Sequence, residues 1–388
     1  MCINSILDND LYKFTVSYAY MKLFPDAEGT FTFNDRNNSE YDENFLEKLK
    51  LEFANLSMVR MLKKELSWCT KNIRFVPQFY WEWLNGFRYD LDKIKFSLDS
   101  NKHLHIEVTD KLYKATLYEV PILAIVSEIR NKWLDNRTDI YSVSSKLNNK
   151  IIISNTEALK FSEFGTRRRF SYNIQDMVCK TLKENARYCT GTSNVHFAMK
   201  YNMKPIGTHP HEWFMFHGAH YGYKQANYVA LENWVNVYDG DLGIALSDTY
   251  TSEVFLENFS RKHAKLFDGV RHDSGDPYIF VNKVINRYKE LGIDPTTKTI
   301  VFSNALDFET YKDIAEYCRT RIRCAAGIGT NLTNDCGFKP SNIVMKLTSC
   351  CMNENQPWYT CVKLSDDEGK HTGFEDEIGN CLYELGLT

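Results

Sequence analysis

The chain has 388 residues and a formal net charge of -3, with 43% hydrophobic and 25% charged residues, an ordinary globular balance. Its length predicts two domains, or one barrel plus an addition, and its charge supplies no overall field for nucleic acid or an anionic membrane, which leaves small-molecule chemistry. No apolar run approaches the roughly 20 residues of a membrane-spanning helix. The opening MCINSILDNDLYK is not a signal peptide, and eleven scattered cysteines without a CxxC pair predict reduced thiols in a cytoplasmic protein.

Asp8 and Asn9 are candidate N-caps for a helix over LYKFTVSYAYMKLF, which Pro25 and Asp26 end before the alternating strand GTFTFND. HLHIEVTD at 103–110 alternates with Leu104, Ile106 and Val108 on one face, and VPILAIV at 120–126 suits a buried strand or helix. The first third thus reads as an α+β domain, residues 1–135, joined by the C-terminal segment 345–388. The polar stretch at 133–150 reads as the passage between domains.

From about residue 160 short strands alternate with helical patterns, and each strand ends in a polar turn: FGTRRR, GTSN, GTHPHEW, SDTYTS, RHDSGDP, SNALD and GIGTN. Asp276 as N-cap and Pro277 at the first position start a helix with Val281, Val284, Ile285 and Tyr288 on one face, ending at Gly292. Seven strand ends with evenly spread chemistry favour an α/β barrel over residues 136–344, its site at the C-terminal face, over an open doubly wound sheet.

GIGTN, with Gly327, Gly329 and Thr330, offers backbone N–H groups and a hydroxyl for an anion, and SNALD, with Ser303 and Asn304, repeats the arrangement one βα unit earlier. Arg167, Arg168 and Arg169 add guanidinium forks for phosphate or carboxylate, a solvated basic face being the alternative. Asp248, Asp273 and Asp276 stand at strand ends, where carboxylates hold sugar hydroxyls or hydrated Mg²⁺; helix capping accounts for Asp276 equally well. Four of the ten histidines fall between His209 and His220, without the cysteine or carboxylate spacing of a zinc site. A wet loop accounts for His217 and His220. His211, behind the Gly207–Thr208 turn and before Glu212, faces the phosphate loops and is a candidate phosphoryl acceptor. Phe164 and Tyr12 can each face a flat ring, with core packing as the default for both.

DNDLYK, YEVPILAIVSEI, FGTRRRF, GTSN, GTHPHEW, SDTY, RHDSGDP, VFSNALD, GIGTNLTND and NIVMKL, in this order, resemble the bacterial nicotinate phosphoribosyltransferases. The resemblance implies a type II phosphoribosyltransferase, an irregular α/β barrel beside an α+β domain. It also implies formation of nicotinate mononucleotide and pyrophosphate from nicotinate and phosphoribosyl pyrophosphate, coupled to ATP hydrolysis through a phosphohistidine at His211, with Mg²⁺.

Carried over by motif, Tyr12 and Phe164 sandwich the pyridine ring, the tyrosine coming from the partner subunit of a homodimer with shared active sites. Arg167 and Arg271 face ring and phosphates, Asp248 and Asp273 hold the ribose and Mg²⁺ region, and Ser303, Gly327 and Gly329 line the 5′-phosphate loops. Ser193 in GTSN favours nicotinate over nicotinamide, since amide-using relatives carry Asp at the matching place and a hydroxyl can donate to a carboxylate. Glu163, Pro210 and Asn304 depart from the family pattern. A nucleotide sensor without catalysis is the competing class, and His211, Asp248, Arg271 and Asp273 together argue against it.

Overall fold

The computed structural model describes residues 1–367 and 369–387. Among the described residues eleven strands form two sheets: β1 (Glu28–Asp35), β2 (Ile94–Leu98), β3 (Leu104–Lys111), β4 (Phe161–Glu163), β5 (Cys189–Thr192), β6 (Ile244–Leu246), β7 (Gly269–His272), β8 (Thr299–Phe302), β9 (Arg323–Ile328), β10 (Ile343–Cys351) and β11 (Tyr359–Thr360).

The first sheet is antiparallel with the order β11-β10-β1-β3-β2. Its period-2 pattern buries one face: Phe31 lies opposite Leu347 on β10 and Val108 on β3, and all three are excluded from water. Two chain regions more than three hundred residues apart therefore share one core sheet.

The second sheet is parallel with the order β5-β4-β9-β8-β7-β6. Among the described residues β5 and β6 are not hydrogen-bonded to one another, yet Ser193 after β5 and Ile244 on β6 line the same cavity, so the sheet curves into an irregular barrel. Six strands stand where the turns suggested seven. The stretch before GTHPHEW makes a single parallel bridge, in which Thr192 donates to the Lys204 carbonyl and accepts from the Ile206 N–H; Pro205 between them has no N–H to offer a strand on its other side.

One local reading changes, and two others gain their local structure. The helix Leu11–Leu23 has Asp10 at its N-cap position without a side-chain cap bond. Asp8 and Asn9 are instead buried tertiary links: Asp8 takes both Nη atoms of Arg169 at 2.8 and 2.9 Å, and Asn9 Nδ2 donates to the Leu117 carbonyl at 2.9 Å. The polar stretch 133–150 is largely helical, because Val143, Leu147 and Ile151 recur every four residues and bury one stripe of the helix Ile140–Thr156, capped by Asp139. VPILAIV belongs to the helix Glu119–Trp133, buried almost all round. The helix Pro277–Glu290 forms as expected, with Asp276 accepting from the Tyr278 and Ile279 N–H groups.

Candidate active site

Two adjoining cavities open at the C-terminal ends of the parallel strands. The smaller, about 70 Å³, is a slot walled by Tyr12 and Phe164, with Asp10, Ser193, Thr208, Ile244 and Val301 completing it. The larger, about 350 Å³, is lined by Arg36, Arg168, Lys346, Lys363 and Lys370, with His211, Asp273, Ser303 and Asn304. Tyr12, Arg167 and Arg271 line both, so the two spaces form one continuous site.

Both walls of the slot come from one chain. Tyr12 reaches it from the start of the helix Leu11–Leu23 because the Leu11 N–H donates to the Ser193 carbonyl at 2.7 Å, which docks the helix on the GTSN turn. The expectation that a partner subunit supplies the tyrosine is thereby corrected. The Ser193 hydroxyl donates to Asp10 Oδ1 at 2.8 Å, and the cations lining the slot are Arg271 and Arg167, the latter with its guanidinium 5.9 Å from the centre of the Tyr12 ring. Burial raises the pKa of Asp10, against the pull of Arg167.

Gly327 faces the Phe164 ring. A Cβ there would lie 2.2 Å from the Phe164 ring, so the glycine is the space in which that ring stands. Gly329 lies against the Phe164 backbone, and Thr330 opens the four-residue helix Thr330–Thr333. None of the three lines either cavity. Glu163 is buried and clamps the turns together, accepting from the Gly165 N–H and the Thr192 hydroxyl, each at 2.5 Å. No arginine of the FGTRRR run is a solvated face: Arg169 is buried against Asp8, and Arg167 and Arg168 line the cavities.

His211 begins the helix His211–Tyr221, behind Pro210, which has no N–H to leave unpaired there. Its Nδ1 lies 3.1 Å from the Thr249 hydroxyl and its Nε2 3.2 Å from Asp273 Oδ2 and 3.6 Å from Asp248 Oδ1. Burial, reinforced by Lys363, lowers its pKa to about 4 against the opposing carboxylates, so the ring is neutral at pH 7. Facing two carboxylates, Nε2 carries the proton, which leaves the lone pair on Nδ1. Asp273 is held by Arg271 Nη2 at 2.8 Å and by the Ser303 hydroxyl at 2.5 Å, while Asp248 accepts from Ser274 Oγ at 2.6 Å and pairs with Lys363 at 3.3 Å.

The wet-loop reading of the other histidines fails, because the segment is a buried helix. His217 is wholly buried, its Nδ1 2.6 Å from the Trp213 carbonyl and its Nε2 accepting from Asn233 at 2.9 Å. His220 Nε2 lies 3.4 Å from Cys350 Sγ. His209 packs on Trp234 and Phe214 with neither ring nitrogen partnered, away from both cavities.

Asp248, Asp273 and His211 bring ligand atoms within 4.8 Å of one another, the only such group among the described residues. Asp276 is exposed, occupied as a helix cap and absent from the group. Asp248 Oδ1 is buried without a hydrogen-bond partner, which fits a hard cation held by carboxylate oxygens; the imidazole nitrogen does not suit Mg²⁺.

Sequence reasoning missed Lys13, Glu119, Lys346 and Lys363. Lys346 was detectable as a charge inside the apolar strand NIVMKL, and burial together with Lys363 lowers its pKa to about 7. Lys13, Glu119 and Lys363 carry no comparable local signal.

A ring-sized slot joined to a cation-lined cavity at the ends of barrel strands defines an α/β-barrel enzyme site for a flat acceptor and a phosphorylated cosubstrate. The sequence pattern described as the nicotinate phosphoribosyltransferase (NAPRTase) family matches residues 159–378, and that of its N-terminal domain matches residues 7–127. The nicotinate phosphoribosyltransferase of Chromohalobacter salexigens is 43% identical over 388 residues, covering 100% of this chain and 99% of the relative. The crystal structure of the Porphyromonas gingivalis nicotinate phosphoribosyltransferase is 47% identical with a TM-score of 0.98, covering 99% of this chain and 100% of that one. A putative yeast nicotinate phosphoribosyltransferase structure is 30% identical with a TM-score of 0.93, covering 100% and 99%. The chain belongs to the nicotinate phosphoribosyltransferase family.

Proposed function

We propose that this chain transfers the phosphoribosyl group of phosphoribosyl pyrophosphate to the ring nitrogen of nicotinate, as a step of NAD salvage, and that it spends ATP through phosphorylation of His211. The observation that carries this reading is the continuity of the two cavities at Arg167 and Arg271, which joins a ring slot to a cation-lined phosphate cavity in one site.

Tyr12 and Phe164 hold the pyridine ring and Arg167 meets its carboxylate. The C1–O bond to pyrophosphate breaks as the ring nitrogen bonds C1, and the positive charge that develops on the ribose is stabilised by Asp248 and Asp273. Arg271, Lys346 and Lys363 take up the charge on the departing pyrophosphate. Thr249 holds the neutral His211 ring through Nδ1 until ATP binds; its hydroxyl then turns away, Nδ1 bonds the terminal phosphorus as the bond to the ADP oxygen breaks and ADP leaves, and hydrolysis of the phosphoramidate releases inorganic phosphate and restores the imidazole. Asp248 and Asp273 would hold Mg²⁺, which neutralises phosphate charge when bound.

One chain supplies every group named, so we place catalysis within a single chain. No helix among the described residues is long and apolar enough to cross a membrane, and all eleven cysteines are free thiols, which supports a cytoplasmic setting.

Pyrophosphate release, measured with nicotinate and with nicotinamide, tests the transfer. Nicotinate-dependent release, stimulated by ATP, is expected; release with nicotinamide alone would sink it. Incubation with ATP and Mg²⁺ should leave an acid-labile phosphoryl label that His211→Ala abolishes and His209→Ala spares. A label that survives His211→Ala removes the coupling while leaving the transfer reaction standing.

A further inference from the structure

Lys13 is next to Tyr12 in the chain and is wholly buried. A buried ammonium persists only with partners, and Lys13 has three from two other chain segments. Its Nζ lies 2.5 Å from Glu119 Oε2, pairs with the Glu212 carboxylate, and donates to Thr116 Oγ1 at 3.1 Å. The Thr116 hydroxyl in turn donates to Glu212 Oε1 at 2.5 Å.

Both ends of this cluster reach the site. Glu119 Oε1 lies 3.5 Å from Arg167 Nη1, the guanidinium shared by the two cavities. Glu212 follows His211 in the chain and shares the first turn of its helix. The charges therefore alternate, Arg167, Glu119, Lys13, Glu212, from the ring slot to the segment that bears the phosphoryl acceptor. Lys13 is their only common member, and its ammonium also stands 5.4 Å from the Tyr12 ring centre.

A buried ion cluster is weak evidence for stability, because desolvation offsets the attraction, and its best-attested use is to fix register. Here the elements fixed are the helix Leu11–Leu23, the segment Thr116–Glu119 and the start of the helix His211–Tyr221, brought together from far apart in the chain.

We propose that Lys13 is a positioning residue that sets Arg167 through Glu119 and the His211 turn through Glu212, so that one ammonium aligns the ring slot with the phosphoryl acceptor. This rests on the function proposed above.

The two arms can be cut separately. Glu119→Gln keeps the shape and removes the charge that faces Arg167; nicotinate KM should rise on the order of 10-fold, more than kcat falls, with ATP-dependent labelling of His211 unchanged. Thr116→Val keeps the shape and removes the donor to Glu212 together with the oxygen that accepts from Lys13, leaving the Lys13–Glu119 pair in place; labelling should slow about 5- to 10-fold with nicotinate KM within about twofold of wild type, and Thr116→Ser should restore it. Lys13→Met should move both readouts.

Thermal melting of each purified variant establishes that it is folded. Folded variants in which both readouts fall together in either arm, or in which neither moves, overturn the proposal and leave Lys13 a structural ion pair. Failure of the underlying reading is distinguishable, since wild type itself would then lack nicotinate-dependent pyrophosphate release or the label.

Discussion

Asp10 makes the ring slot an unusual place to receive an anion. Its carboxyl is buried beside Ser193, and burial raises its pKa. A group with a raised pKa keeps its proton at lower pH and loses it as pH rises, so the slot gains a negative charge in that direction. Nicotinate, itself a carboxylate, should therefore bind less well as Asp10 ionises. The expected outcome is a nicotinate KM that climbs with pH in wild type and stays flat in Asp10→Asn. At the alkaline end the variant should have the lower KM by about 10-fold, the equivalent of about 1.4 kcal/mol. Parallel pH profiles for the two proteins would show that Asp10 stays neutral or stays out of the ligand's reach.

At the scale of elements, the turns were the legible part. FGTRRR, GTSN, RHDSGDP and SNALD read as strand ends because their polar chemistry is local, even where the strand itself is only three or four residues, as in β4 and β5. The helix Ile140–Thr156 was hidden because its buried stripe is narrow among many polar residues. The Lys13 cluster was hidden for another reason: Lys13, Glu119 and Glu212 come from segments that no periodicity links, and only tertiary structure brings them together. GIGTN was read as an anion loop on its glycines, whereas Gly327 serves the packing of Phe164. Gly327→Ala should accordingly displace that ring, raising nicotinate KM and lowering stability by about 1–3 kcal/mol, the usual range for overpacking. Nicotinate titrations and denaturant melts check the two effects, and an alanine variant with wild-type affinity would mean that the ring has room to move.

For the whole molecule, both walls of the slot come from one chain, Tyr12 and Phe164 lying on two segments joined through the GTSN turn, where Ser193 accepts from the Leu11 N–H at 2.7 Å and donates its own N–H to the Glu163 carbonyl at 2.8 Å. Mixing inactive Tyr12→Ala with inactive Phe164→Ala protein, under conditions that permit subunit exchange, should recover no activity, because neither partner can repair the other. Recovery above the sum of the parents would place the tyrosine in trans after all.

The pairing of β1 with β10 bears on how the chain is made. During synthesis β1 leaves the ribosome early, but the strand that covers its edge is encoded more than three hundred residues later. Until then the N-terminal sheet has an open edge beside buried positions such as Phe31, a template for mispairing between nascent chains. The barrel can close first, and the N-terminal sheet has to wait for β10, Ile343–Cys351. A chain stopped after residue 342 should thus accumulate as aggregate although its barrel strands are all present, and supplying residues 343–388 as a separate peptide during refolding should return soluble protein. If the truncated chain is soluble and monomeric on its own, the first sheet is stable without β10 and synthesis carries no such waiting period.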